Sequence, residues 1–219
     1  MPASMKINFS QTPEIYESLI AGMKRWLYRV LIDCLIFNNN LYVPNQRFRN
    51  NDITDLKSVG SEFSLIDLRG SERSLASFKG RVVVLVVGWA LANDPSHTIL
   101  NNIVHELSAP GRQPLPVDVV FVTIDPENDS PQAVENYLTG IDSGCIGLRP
   151  RNVSEAKKFA KDFLIYLNKV QLEKSVSYCA EPIRTGLVFD KKGRLRLYLG
   201  RQNGVKNLRH DVLQLNLGY

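Results

Sequence analysis

Lys79-Gly80-Arg81-Val82-Val83-Val84-Leu85-Val86-Val87-Gly88 decides how this chain is read. Six consecutive apolar residues, five of them β-branched, stand between a Lys-Gly turn and a glycine. Such a run is the mark of a strand covered on both faces, as in parallel sheets with helices on either side. A second run, Val117-Asp118-Val119-Val120-Phe121-Val122-Thr123-Ile124, ends at Asp125-Pro126. Between the two, Ile99, Leu100, Ile103, Val104 and Leu107 recur at helical spacing. Strand, helix and strand joined by a right-handed crossover bring the two runs side by side and parallel.

Working outward, Ser130-Pro131 starts a helix with Ala133, Val134, Tyr137 and Leu138 as its apolar stripe. Cys145-Ile146-Gly147-Leu148 reads as a short strand. Asn152 and Glu155 have the spacing of a capping box before a helix that turns Ala156, Phe159, Ala160 and Phe163 inward. Gly186-Leu187-Val188-Phe189 and Leu195, Leu197, Leu199 form a hairpin through the turn Asp190-Lys191-Lys192-Gly193. Val205, Leu208, Val212 and Leu215 mark a closing helix. Upstream, Phe63-Ser64-Leu65-Ile66-Asp67-Leu68 alternates as a half-buried strand does. This order predicts a thioredoxin-like α/β domain over 61–219. Its central mixed sheet is flanked by helices, and the hairpin supplies the antiparallel edge.

The remaining residues divide in two. Thr12-Pro13-Glu14 is a helix start, and Ile15, Tyr16, Leu19, Ile20, Met23, Trp26, Leu27, Val30, Leu31, Cys34 and Leu35 follow at i, i+3, i+4 spacing. This predicts an amphipathic helical extension over 1–37. Trp26, Leu27, Val30 and Leu31 are its candidate contact residues, for its own domain, a protein partner or a membrane surface. Residues 38–60 are Asn-rich, polar and without periodicity, and read as a linker.

Composition bounds the function. Hydrophobic residues make up 44% and charged residues 22% of 219, enough for a packed core. The net charge of +5 comes without any block of five or six like charges, so no nucleic-acid arm is read. No run of about 18 apolar residues is present, so no spanning helix is expected. Cys34, Cys145 and Cys179 are widely spaced and form no CxxC or CxxxC pair, so neither a zinc knuckle nor a dithiol motif can be drawn.

Several of these stretches together resemble the Sco/SenC family. They are Gly80 to Leu85 before a Gly-aromatic pair, the strand ending in Asp125-Pro126-Glu127-Asn128-Asp129-Ser130-Pro131, then Tyr137-Leu138, Ile146-Gly147-Leu148 and Asp190-Lys191-Lys192-Gly193-Arg194-Leu195. The resemblance covers about residues 62–216. It implies a membrane-associated protein facing a periplasm or a mitochondrial intermembrane space. It also implies a copper-binding role in assembly of the CuA centre of cytochrome c oxidase. The family holds copper with a C-x-x-x-C loop after the first buried strand and a histidine before the hairpin, soft thiolates suiting Cu(I). Here the loop reads Gly88-Trp89-Ala90-Leu91-Ala92-Asn93-Asp94-Pro95-Ser96-His97. The alignment puts Ala92 and Ser96 at the cysteine positions, keeps an acid at Asp94, and puts Pro182 at the histidine position. The expectation is a protein without the copper cofactor, acting on a protein partner in or near a respiratory-chain complex.

Two alternatives stand beside it. One is a relocated metal or thiol site built from Cys179 and His97, which with Asp94 are the candidates for a vestigial site. The other is a scaffold held at a membrane surface by its N-terminal helix. Cys145 reads as a core thiol, with a Cys145–Cys179 disulfide as the other option. Asp125, Glu127 and Asp129 read as turn and N-cap residues, with a hard-cation site as the lesser option. Ser96 beside His97 lacks the third group a hydrolase needs. Lys191, Lys192, Arg194, Arg196, Arg201, Lys206 and Arg209 read as solvated faces or as a docking surface for an acidic partner.

Overall fold

A computed structural model of the chain describes residues 47–55, 60, 62–90, 95–108, 113–142, 144–172, 175–181, 186–199 and 204–219. The chain divides into two units, Met1–Pro44 and Asn45–Tyr219, and every described residue belongs to the second. The N-terminal helix, with Trp26, Leu27, Val30 and Leu31, lies outside the described residues.

In chain order the elements are β1 (Asn51–Asp52), β2 (Ser64–Asp67), β3 (Glu72–Ser74), a 3-10 turn at Leu75–Phe78, β4 (Val82–Gly88), α1 (Pro95–Leu107), β5 (Val117–Thr123), α2 (Pro131–Thr139), β6 (Ile146–Arg149), α3 (Val153–Asp162), β7 (Tyr166–Leu172), β8 (Ser175–Glu181), β9 (Gly186–Phe189), β10 (Leu195–Tyr198) and α4 (Gly204–Asn216). Eight strands form one sheet in the order β1-β10-β9-β4-β5-β6-β2-β3, and β7 and β8 pair separately as a two-stranded ribbon. Strands β4, β5 and β6 are mutually parallel. Strand β9 is antiparallel to β4, and β2 to β6. This is the mixed α/β sheet that the two apolar runs predict.

Every residue of β4 is buried. Val82, Val84 and Val86 join one core with Leu100, Ile103 and Leu107 of α1, Val134 and Leu138 of α2, and Leu208 and Val212 of α4. Val83, Leu85 and Val87 join a second core with Phe159 and Ala160 of α3, then Phe163, and Leu75 and Phe78 of the 3-10 turn. The period of two along the strand thus feeds two cores, one on each face. Each fully buried Val or Leu contributes roughly 1.5–3 kcal/mol.

Helix starts follow the expected chemistry. Ser130 caps α2 by accepting from Ala133 N–H at 3.2 Å, with Pro131 behind it. Asn152 caps α3 through Glu155 N–H at 2.9 Å. The return bond falls one residue early: the Glu155 carboxylate takes the Arg151 N–H, and the Arg151 guanidinium adds an ion pair at 2.7 Å.

Two expectations are corrected. The hairpin β9–β10 is not the edge of the sheet, because β1 pairs antiparallel to β10 beyond it. Residues 47–55, expected as linker, are therefore part of the domain. Their anchor is Asp211 of α4, which is fully buried. Its carboxylate accepts Arg49 N–H at 2.8 Å, Asn50 N–H at 2.8 Å and Asn50 Nδ2 at 2.9 Å, and its Oδ1 lies 2.9 Å from His210 Nδ1. Phe48 goes into the core beside it. A polar, aperiodic stretch gave no sign of this because its burial depends on a partner 161 residues away.

The second correction concerns the basic residues. Arg196, 7% exposed, occupies a β-bulge between Leu195 and Leu197. It donates to Thr54 Oγ1 at 2.7 Å and to the Tyr219 carbonyl at 2.9 Å, and pairs with Asp190 at 3.4 Å. Arg209, 8% exposed, donates to the carbonyls of Leu107 and Gln113. Lys191 donates to the Asn216 carbonyl. These three side chains brace the domain, whereas Lys192, Arg194 and Lys206 are exposed, as the solvated-face reading has it; Arg201 lies outside the described residues. Asp190 receives the Arg194 N–H and guanidinium and the Lys192 N–H. Burial pushes its carboxyl up, but those bonds together outweigh it and hold the carboxyl below its ordinary value. The stabilisation is present above the unfolded value of about 3.9 and is lost as pH falls below it through the folded value. Gly193, at φ 77°, closes that turn in a conformation glycine adopts freely.

Asp211→Ala removes the acceptor of the part-buried Arg49 N–H, the buried Asn50 N–H and one of the two Asn50 Nδ2 bonds, and is expected to cost on the order of 3 kcal/mol in urea unfolding, with faster amide exchange at Arg49 and Asn50. A loss below about 1 kcal/mol would show that the anchor is dispensable.

Candidate functional site

The C-terminal ends of the parallel strands meet the start of α1 at one corner, the place where open α/β sheets build their sites. Gly88 of β4 lies opposite Thr123 of β5, and Val122 opposite Leu148 of β6. The turn 124–130 crosses this corner. Thr123 Oγ1 accepts Asp125 N–H at 3.2 Å and donates to the Asp129 carboxylate. Asp129 Oδ2 also accepts the Ala90 N–H at 3.0 Å. Arg149 closes the turn from β6, donating to the carbonyls of Asp129 at 2.8 Å and Pro126 at 2.9 Å.

The acidic loop is therefore only partly what the sequence predicts. Asp125 makes turn bonds, taking Asn128 Nδ2 at 2.8 Å. Ser130, not Asp129, is the N-cap. Asp129 reaches back to the chain leaving β4, and both aspartates are 5% exposed. Their carboxylates are committed to protein donors. Among the described residues no three His, Cys, Asp or Glu side chains group to hold a metal ion.

In the first turn of α1, Ser96 is 5% exposed and its Oγ lies 3.4 Å from Tyr137 Oη. His97 is half-buried, its ring edge-on to Tyr137 with centroids 5.5 Å apart. Tyr137 also packs on Phe121, centroids 5.0 Å apart. In sequence Tyr137 is one member of an apolar stripe. The structure makes it the residue on which Ser96 and His97 converge, because α2 lies on the same face of the sheet as α1. His105 is exposed on α1. Trp89 packs against the α3-side core, and its buried Nε1 meets no hydrogen-bond acceptor among the described residues.

Of the other sequence-predicted positions, Ala92, Asp94 and Pro182 lie outside the described residues. Cys179 lies on β8 opposite Asn168, in the ribbon that sequence reading did not foresee. Cys145 sits at the other end of β6, packed against the α1-side core. It is a free thiol, so the disulfide option is not what the structure holds. Burial, helped by Asp142, pushes it up to about 12.

The donors this corner offers are a serine hydroxyl, an imidazole, a phenol and carboxylates already bonded to protein. Cu(I) favours thiolates, and none is among them, so the described residues do not fit that ion.

The SCO1/SenC family model matches residues 51–216. The chain belongs to the SCO1/SenC family. The match begins at β1, inside the stretch expected as linker. Protein SCO2 homolog, mitochondrial, of Homo sapiens is 25% identical over 154 residues, which are 69% of this chain and 57% of the relative. The matched part thus spans little more than half of that relative's length. Copper-bound ScoI of Bradyrhizobium japonicum superposes with a TM-score of 0.59 at 24% identity, covering 74% of this chain and 99% of that one. BsSco, described as a member of the Sco family of cytochrome c oxidase assembly proteins, superposes at 0.54 with 18% identity, covering 72% and 93%. These likenesses show the SCO1/SenC protein to have the thioredoxin-like fold of its relatives. No helix among the described residues is long and apolar enough to cross a membrane.

In a Cys34→Ser, Cys179→Ser variant, Cys145 is expected to react with a thiol reagent at pH 8 on the order of a hundredfold more slowly than free cysteine, accelerating as pH rises. A rate equal to that of free cysteine would show the thiol to be neither buried nor shifted.

Proposed function

We propose that this SCO1/SenC protein has kept the family fold and lost its copper site. It acts by binding other proteins, in the assembly of cytochrome c oxidase or as an accessory to it. One observation carries the reading. The loop from Gly88 to His97 contains no cysteine, and the residue in the first turn of α1 is a buried Ser96 facing Tyr137. A hydroxyl there cannot replace a soft thiolate toward Cu(I), and it cannot carry thiol–disulfide chemistry. On this reading Ala92, Ser96 and Pro182 stand where the family's three ligands would be, and Asp94, His97 and Cys179 are remnants around them. Function lives in sites rather than folds, so a scaffold stripped of its metal site is left with its surfaces. The N-terminal helix, through Trp26, Leu27, Val30 and Leu31, is the attachment device. It places the protein at a membrane complex facing a periplasm or a mitochondrial intermembrane space.

The test is a Cu(I) competition. The full chain is expected to surrender Cu(I) to a strong chelator, whereas a variant combining Ala92→Cys, Ser96→Cys and Pro182→His should retain far more. One equivalent retained by the natural sequence would overturn the proposal, and if that copper were lost in Cys179→Ser it would assign a relocated site instead. The partner-binding half has its own readout. Leu27→Asp with Leu31→Asp is expected to abolish co-purification of oxidase subunits; undiminished co-purification would remove the helix from the account.

A further inference from the structure

Asp129 is a buried ionisable group whose bonds reach three strand ends. Its Oδ2 accepts from Ala90 N–H, just beyond β4, and from the hydroxyl of Thr123, the last residue of β5. Its main-chain carbonyl accepts from Arg149, the last residue of β6. Its own N–H is donated to the Asp125 carbonyl at 2.9 Å. The chain leaving β4 is otherwise tied to β5 by Ile124 N–H to the Gly88 carbonyl, 3.1 Å, two residues before Ala90. Nothing in capping or core packing requires the carboxylate, since Ser130 already caps α2.

We propose that Asp129 is a proton-operated latch. Its carboxylate holds Trp89 and Ala90 against the end of β5, and the proton it gains or loses sets how readily that segment lifts away.

The direction follows from the surroundings. With the segment lifted, Asp129 meets water and titrates near the ordinary value of about 3.9. Latched, it is desolvated, and this is the largest influence on it, raising its proton affinity. The bonds from Thr123 and Ala90 oppose burial. The charged groups facing it are Asp125 in the same turn, which adds to the rise, and Arg149 from β6, which opposes it; the balance is upward. The latched form therefore binds a proton more tightly than the lifted form. Falling pH through the raised value favours the latch, and rising pH leaves a charged carboxylate buried and favours release. This inference stands whether or not the copper site is lost, because it concerns the backbone leaving β4 rather than any ligand.

The experiment is amide exchange at Ala90 in the full chain, followed by NMR from about pH 4 to neutrality and read as an opening constant with intrinsic base catalysis divided out. The opening constant is expected to rise with pH, while Asp129→Asn, which keeps an acceptor oxygen but no charge, makes it flat. Thr123→Val, removing a donor to the carboxylate, should move the midpoint to higher pH. Either a flat natural profile or an Asp129→Asn profile that still rises would overturn the latch. So would an Asp129 carboxyl carbon that titrates at or below the ordinary aspartate value, a reading that needs no variant.

Discussion

The structure depends on one strand that has no solvent face. Residues Val82 to Val87 pair with β5 on one side, Val83 to Val86 pair with β9 on the other, and the side chains of the run supply both cores at once. A strand in that position must be apolar at every residue, because either parity of side chain is desolvated and neither can carry an unpaired polar group. The covering of the sheet follows: α1, α2 and α4 shield the even-numbered residues, α3 and the 3-10 turn the odd-numbered ones. The corner at the C-terminal ends of β4, β5 and β6 follows as well, since parallel pairing brings those ends together.

That corner is held together by bonds within the protein. Its architecture is carried by bonds that involve no metal. Thr123, Asp129, Ala90 and Arg149 bind one another through the turn that crosses the strand ends, and Tyr137 receives Ser96 and His97 from α1. None of these contacts asks for a cysteine in the loop. The Asp129 carboxyl group accepts from both a hydroxyl and a backbone N–H and so joins the loop root to the end of β5.

Much of the domain was legible beforehand because its signals are local. The two apolar runs, the helix start at Ser130-Pro131, the cap at Asn152 and the Asp190 to Gly193 turn each declare themselves within a few residues. What was not legible depends on distant partners. Asn50 and Phe48 sit in a polar stretch that reads as linker until Asp211 and the core are placed beside it. Strand β8 alternates, with Val176, Tyr178 and Ala180 in every second place, but β7 alternates only from Val170 to Leu172, so the pair did not declare itself as a ribbon. The arginines at 196 and 209 look like surface charge in sequence, yet one occupies a bulge and the other ties α4 to the end of α1.

At the site the division is sharper. The sequence by itself determined that the loop from Gly88 to His97 has no thiol, because residue type alone settles that. It also determined the fold class, because a run apolar at both parities admits few other settings. Only the tertiary structure decided that Tyr137 receives Ser96 and His97, that Asp129 serves the neighbouring loop rather than its own helix, and that residues 47–55 complete the sheet. Each of these is a contact between segments far apart in the chain, whose geometry is set by which face of the sheet each element covers and which strand ends parallel pairing brings together.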